Sequence, residues 1–318
     1  MTVISNPTQA AFFINPLSYS VAKHGSILAK SALDTDIARY DLSPFDTLVR
    51  SVDEIIKNQV KLVFIEGGDG TIQGIITEFF NRKTEFNAFP HFVLLPGGMT
   101  NLVAAHVGMK KPTKSKIEAL LAAPHSAQQS DLPFLKISYE DHVHFGILFS
   151  TGALPNGTRY CQDKIHTRGI NGADAVLATL LRVLLGRGED RKIVLKPTPM
   201  VLDVDGMEIT DKHIISIATT LPSLMIGLNP FWGTGNGPVR ISHVRIGAKR
   251  LIRNVLRLLK NSQSSGDIAT LEADGFRSWS VDTATMHHNG PVVLDGEFLP
   301  QTEKPITLSA SSLVSFLR

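Results

Sequence analysis

A single cysteine, Cys161, stands among 318 residues. No intrachain disulfide can form, and cysteine cannot build a zinc site. The low hydrophobicity and high net charge that mark disorder are also missing: hydrophobic residues make up 43%, charged residues 19%, and the formal net charge is +3. Fibrous, coiled-coil and disulfide-stapled classes are excluded on the same grounds. There is no long apolar run. The longest membrane-like segment, Ala173–Leu185, is too short to span a bilayer and carries Asp174 and Arg182. Met1–Gln9 has neither a Lys or Arg nor an apolar stretch, so no signal peptide is expected. The expectation is a soluble, cytoplasmic protein, with contact at the inner membrane face left open. With so small a net charge, any basic patch has to be located before it can be used.

What is present is enough apolar material for packed cores, and at roughly 100–200 residues per domain the length points to about two of them. Residues 1–130 alternate strand and helix signals. Ala10–Ile14, Asp36–Leu42, Lys61–Glu66 and Phe92–Leu95 read as strands. Ser20–Leu33, the amphipathic stretch after Pro44, Thr71–Phe80 and a segment from about Thr100 read as helices. Such alternation predicts an α/β domain with a parallel sheet covered on both faces. Ligands of these sheets bind beyond the carboxyl ends of the strands.

From about Asp131 the texture changes. Phe134–Tyr139, Val143–Ser150, Lys192–Leu195, Met200–Val204, His213–Thr219 and Val239–Val244 read as short strands separated by turns such as Asp205–Gly206. A β-rich antiparallel second domain, 131–305, is expected. Gly172–Leu185 and Ala248–Lys260 interrupt it as helices, and Asn261–Gly266 reads as an exposed loop. No internal repeat or low-complexity tract appears.

Glu66-Gly67-Gly68-Asp69-Gly70-Thr71 follows a buried-type strand directly. Its glycines permit close approach of a ligand to the backbone, and successive amides with a helix N-terminus favour an anion. Asp69 is itself negative, so it fits a magnesium ion or a hydroxyl about to lose its proton better than a bare phosphate cradle. The plainer alternative is a strand–helix turn with Asp69 or Thr71 as N-cap. Leu95-Pro96-Gly97-Gly98-Met99-Thr100-Asn101 repeats the pattern on the next strand, and two such loops on adjacent strand ends would share one site. Leu294-Asp295-Gly296-Glu297 places two carboxylates in a tight turn, which by itself reads as a β-turn with solvated acids. His287 and His288 are adjacent on a strand, face opposite sides and are expected at the surface.

These segments, with Asn15-Pro16 after the first strand, resemble the diacylglycerol kinase catalytic family, over almost the whole chain and in order. That family includes bacterial lipid kinases, sphingosine kinases and ceramide kinases. The resemblance implies a nucleotide-binding α/β domain, a β-rich domain, a cleft between them, and a last strand, here Ile306–Arg318, returning to the first domain. It implies a cytoplasmic lipid kinase that uses ATP and magnesium to phosphorylate diacylglycerol or a related lipid. Asn15 and Ser43 would lie near the nucleotide. Gly67, Gly68, Asp69, Gly70 and Thr71 would form the phosphate loop, with Gly98, Thr100 and Asn101 on the second loop. Glu297 ranks first and Asp69 second as proton acceptor, Asp295 beside Glu297 is a further catalytic candidate, and Asp69 ranks first as partner of magnesium. Departures from the family pattern are Tyr19 at a glycine position, Met99-Thr100 for the usual threonine order, and Gln73-Gly74 for Asn-Glu. Asn236 stands where some members carry an aspartate on a structural magnesium, so that metal is not expected. A kinase acting on NAD, or a non-catalytic binder of nucleotide or lipid, are the competing readings.

Arg245–Lys260 contains several basic residues and no acid. Lys249, Arg253 and Arg257 recur every fourth residue, and Leu251, Ile252, Val255, Leu256 and Leu259 supply an apolar side. This reads either as a packed helix with a solvated basic face or as a surface for anionic headgroups. No nucleic-acid recognition motif accompanies it. Ala173–Leu185 reads as core or as the lining of a lipid pocket.

Overall fold

The computed structural model describes residues 10–31, 37–85, 88–98, 101–165, 189–224, 229–258 and 263–318. The chain divides into two compact units, Met1–Leu132 with Leu313–Arg318, and Pro133–Ser312. The helix expected within Gly172–Leu185 lies outside the described residues.

The first unit is an α/β layer structure. Strands β1 (Ala10–Ile14), β2 (Ala38–Asp41), β3 (Leu62–Gly67) and β4 (His91–Pro96) pair in parallel in the order β2-β1-β3-β4. β3 is buried at all six positions, which is why its sequence runs apolar without alternating. The helices α1 (Tyr19–His24), α2 (Ile27–Lys30), α3 (Leu48–Lys57), α4 (Asp69–Asn81), α5 (Leu102–Val107) and α6 (Lys114–Ala122) fill the crossovers. The sequence pattern predicts one apolar face of Leu48, Val49, Val52, Ile55 and Ile56; α3 turns Leu48, Val52 and Ile55 inward, but Val49 is 47% exposed. Phe12, Phe64, Val93 and Leu95 pack with Leu28, Ile117 and Leu120 on one side of the sheet. Elsewhere in the unit the Phe92 ring stands edge-on to Phe79 at 5.2 Å.

One helix was expected over Ser20–Leu33. Two short ones form instead, separated at Gly25, whose φ is +75°. The Glu66 carboxylate accepts hydrogen bonds from the amides of Ile27 and Leu28, at 2.8 and 3.1 Å, and this fixes the new start. Strand β15 (Ile306–Leu317) begins in the second unit, and only Leu313–Arg318 belong to the first. Phe316 pairs with Phe92 of β4 in parallel.

The second unit is mostly antiparallel. β5 (Gln129–Tyr139) enters it from the first unit and forms a hairpin with β6 (His142–Gly146). β7 (Leu148–Gly152), β8 (Thr198–Val204), β9 (Met207–Thr219), β10 (Val239–Arg245), β11 (Phe276–Val281), β12 (Thr283–His288), β13 (Val292–Leu294) and β14 (Glu297–Phe298) follow. The β8–β9 hairpin turns through Asp205–Gly206, both at positive φ, the conformation that matches strand twist. β9 is thirteen residues long. Its first half pairs with β8, and its second half lies between β7 and β10. Leu135, Ile137, Phe149, Leu202, Ile241 and Leu308 are among the fully buried core residues of the second unit.

Helices α7 (Ala153–Ile165), α8 (Glu189–Val194), α9 (Leu251–Leu258) and α10 (Ser265–Ala273) complete the described elements. Two expectations need correction here. Lys192–Leu195 read as a strand, but Lys192–Val194 close helix α8, where Val194 is buried. A short apolar run does not distinguish helix from strand by period. The polar stretch ending at Gly266 read as a loop, yet Ser264 caps α10 in a reciprocal capping box with Asp267. No described helix is long and apolar enough to cross a membrane.

Candidate functional site

The glycine-rich segments meet at the carboxyl edge of the parallel sheet. β3 ends at Gly67, and Gly68 is the N-cap of α4 with an extended backbone. The first helical hydrogen bond there is Ile72 N–H to Gly68 O, at 3.1 Å. The amides of Asp69, Gly70 and Thr71 therefore have no acceptor within their helix. On the next strand, Gly97 and Gly98 lead to α5, whose N-cap Asn101 is left-handed at φ +50°.

The two loops touch through their backbones. Gly97 N–H donates to Gly67 O at 2.8 Å. A Cβ on Gly98 would lie 2.6 Å from Gly68 Cα, and one on Gly97 would lie 2.9 Å from Gly67 Cα. These glycines are dictated by loop-on-loop packing before any ligand is considered. Gly70 differs, because a Cβ there meets nothing within 4 Å. The space over the first turn of α4 is open.

Asp69 does not cap its own helix. Its Oδ2 accepts from Leu102 N–H at 2.9 Å and its Oδ1 from Val103 N–H at 3.1 Å, so it caps α5 on the adjoining loop. Burial pushes its pKa up, and the amides of Leu102, Val103 and Asn101 pull it down, with burial winning. Two carboxylate oxygens offer about four lone-pair sites, so these three amides leave one for a cation or a proton. Asn15 Nδ2 donates to Thr71 Oγ1 at 2.8 Å, and Asn15 Oδ1 accepts from Leu17 N–H at 3.0 Å. Asn101 closes its own loop, accepting from Gly98 N–H at 2.8 Å and donating to Gly98 O at 2.7 Å. Asn15, Gly67, Gly68, Asp69, Gly70, Thr71, Gly98 and Asn101 thus share one sheet edge. Thr100 and Met99 lie outside the described residues. Ser43 is exposed in the segment after β2, its amide donating to Asp41 Oδ1 at 3.1 Å.

Two residues to which the sequence reading gave no role complete this edge. Glu66 is buried, accepting from Ser26 Oγ besides the α2 amides. Ser18 Oγ accepts from Gly68 N–H at 3.3 Å. The only signal for Glu66 was a carboxylate at the end of a buried strand. Beside Asn15 a hollow of about 400 Å³ opens, lined by Pro16, Val21, Ala29, Arg39, Tyr40 and Asp41 among others. Burial, with Glu54 nearby, pushes the Tyr40 phenol up to about 12.

The Asp-Gly-Glu turn lies in the second unit. Asp295 and Gly296 take φ of +52° and +94° and join β13 to β14. The Asp295 carboxylate accepts from Ile147 N–H at 2.9 Å and Leu148 N–H at 2.8 Å. This interrupts the run expected as one strand over Val143–Ser150, dividing it into β6 and β7. Its role in the described contacts is to hold the hairpin. Glu297 is exposed, and its side chain has no hydrogen-bond or ion-pair partner among the described residues.

The basic segment is only partly as expected. α9 turns Asn254 and Leu258 inward. Arg257 is engaged by Asp267 at 3.4 Å and by Asn254 Oδ1 at 2.6 Å, so it does not belong to a free basic face. Arg250 is held by Asp274 through two hydrogen bonds, at 2.8 and 2.6 Å. Lys249 and Arg253 are exposed. Ile252 and Leu256, expected on the packed side, are 40% and 59% exposed.

A separate cluster corrects the expectation for His288, which is 4% exposed, while His287 faces out. Its ring lies 5.1 Å from that of His213, which lies 5.8 Å from that of His243. His213 Nε2 meets Thr151 Oγ1 at 2.7 Å and its Nδ1 meets Thr198 O at 2.9 Å. His243 Nδ1 meets Ser216 Oγ at 2.9 Å, while His243 Nε2 and both His288 nitrogens have no hydrogen-bond partner among the described residues. Burial, helped by His288 and His243, lowers His213 to about 3. Burial lowers His243 to about 4, with Arg277 acting in the same direction and Asp211 against it. His288 is also lowered by burial. The three are neutral at physiological pH.

Residues 9–131 match the family model of the diacylglycerol kinase catalytic domain, the family whose motifs the two loops carry. No curated protein matches the chain. In fold the chain is similar to a diacylglycerol kinase from Bacillus anthracis str. Sterne, at 14% identity and a TM-score of 0.63, covering 98% of this chain and 96% of that one. It is also similar to yeast NADH kinase complexed with NADH, at 11% identity and a TM-score of 0.51, covering 98% and 84%. At such identity the structural likeness establishes the fold alone. The N-terminal α/β unit and the antiparallel β-rich unit are the architecture of these kinases.

Proposed function

We propose that the chain is a phosphotransferase that moves the γ-phosphoryl group of ATP to a hydroxyl of diacylglycerol or a related lipid. The observation that carries this reading is the open first turn of α4. There, amides without helical acceptors and the Asp69 carboxylate flank Gly70, where an added Cβ would meet nothing within 4 Å. Such a turn favours an anion, through its N–H groups and the helix dipole together. The hollow beside Pro16 would take the nucleoside, and the Asn15–Thr71 contact would hold the loop in place.

Magnesium fits this loop in its usual way, through one carboxylate and substrate phosphates, and Asp69 would be the carboxylate. When bound, the ion would neutralise charge on the transferring group. The acceptor oxygen forms a bond to γ-phosphorus as the bond to the bridging β,γ-oxygen breaks, and ADP leaves. A carboxylate takes the hydroxyl proton, worth about 10²–10⁴-fold in rate. Glu297 is our first choice for that base and Asp69 the second.

The test is transfer of labelled γ-phosphate to a panel of lipids in mixed micelles, with NAD as a control acceptor and Asp69→Ala beside the parent. A labelled lipid that disappears in Asp69→Ala is the expected result. Label on NAD and none on lipid would replace the reading with a soluble nucleotide acceptor, which the fold likeness to yeast NADH kinase favours. Folded protein that binds ATP and labels nothing would leave a non-catalytic binder.

A further inference from the structure

The α9 segment carries apolar side chains on two sides, and only one of them is used by the core. Leu258 is buried with Leu271 and Phe276, and Leu251 packs against both that group and the one around Val194 and Ile214. Asn254 is fully buried, donating to Asp274 Oδ2 at 2.7 Å and to Lys249 O at 3.1 Å. Packing is therefore satisfied without Ile252 and Leu256. These stand four residues apart, one turn of helix, and are left 40% and 59% exposed. Ile246, in the turn that precedes the helix, is 45% exposed.

The charges beside them are of one sign. Lys249 and Arg253 are exposed and have no ion-pair partner among the described residues. Two acids of the packed side are engaged by other cations: Asp274 holds Arg250, and Asp267 holds Arg257. Arg245–Lys260 contributes no acid of its own. The neutralised cations point to packing, while the two left free share their surface with large aliphatic side chains.

We propose that this surface docks the protein on an anionic lipid bilayer, with Ile252 and Leu256 entering the headgroup boundary and Lys249 and Arg253 among the phosphates. Exposed aliphatics flanked by cations suit that boundary, where both groups are satisfied at once. An acidic protein partner would meet the charges but would need its own apolar groove. The inference deepens the proposed function by naming the surface through which a lipid kinase would reach its substrate, but its test does not depend on catalysis.

The full chain is floated with vesicles of phosphatidylcholine alone and of equal parts phosphatidylcholine and phosphatidylglycerol. Binding to the mixed vesicles only is expected, lost in about 1 M salt, where the screening length falls to about 3 Å. Lys249→Glu with Arg253→Glu should weaken binding at least about 25-fold, since each basic residue near the surface is worth about fivefold. Ile252→Ser with Leu256→Ser should weaken it by a similar factor without changing its salt dependence. Tryptophan fluorescence of each variant confirms that it is folded. Equal binding to both vesicle types, no binding to either, or full binding by the folded charge-reversal variant would overturn the proposal. Vesicle binding without phosphoryl transfer would remove the proposed function and leave the docking surface. Transfer to a dispersed short-chain acceptor without vesicle binding would do the reverse.

Discussion

Lowering the pH from about 8 to about 5 should cost the β-rich unit at least about 4 kcal/mol through His213 and His243. Their folded pKa values, about 3 and about 4, lie below the ordinary 6.5. Between those values and 6.5 the unfolded chain binds more protons than the folded one, so stability falls as pH falls. At about pH 5 each unfolded imidazole is almost fully protonated and each folded one is mostly neutral, so the loss is about 2 kcal/mol per residue for folded values about a unit or more below 5. His288 shifts in the same direction and adds to the slope. The sum is a large part of the 5–15 kcal/mol of a typical domain. Both tryptophans, Trp232 and Trp279, lie in the second unit, so intrinsic fluorescence follows that unit within the intact chain. With a urea slope near 2 kcal/mol/M, the midpoint should drop by about 2 M between the two conditions. A midpoint that is flat from about pH 8 to about pH 5 would refute the reasoning. So would an equal slope in a folded His213→Gln, His243→Gln variant.

The two glycine loops allow packing to be separated from ligand binding. Gly98→Ala should destabilise the α/β unit by about 1–3 kcal/mol, because its Cβ would strike Gly68, as a thermal melt would show. Gly70→Ala should leave the melt nearly unchanged and lower ATP affinity in a binding titration. Glu297→Gln, at an exposed position, should keep its stability and lose about 10²–10⁴ in transfer rate, and an unchanged rate would pass the role of base to Asp69. Asp295→Ala should cost about 1–3 kcal/mol by unfolding titration, since Ile147 and Leu148 would lose the acceptor of their amides.

The parallel sheet and its loops were legible because each signal is local. A buried run such as Lys61–Glu66 needs no partner to be recognised, and the glycines after it mark the strand end. What escaped depends on residues far apart in the chain. Asp69 caps a helix that starts 33 residues later. The break between β6 and β7 is made by Asp295, 148 residues from Ile147. His288 read as a surface residue because its partners come from β9 and β10, which sequence spacing could not bring beside it. On α9 the apolar positions were visible, but the face turned inward carries Asn254, a polar residue whose buried partner, Asp274, lies 20 residues away.

The last residues of β15 have a consequence for the order in which the molecule can be completed. Phe316 lies against Phe92, and Arg318 exchanges backbone hydrogen bonds with Gln128 at 3.0 and 3.1 Å. During synthesis, residues 133–312 must emerge before Leu313–Arg318 can close the edge beside β4. Until then that edge presents unpaired N–H and C=O groups open to pairing with another chain. Of these two units, the one whose strands are made earlier is completed only after the other has emerged.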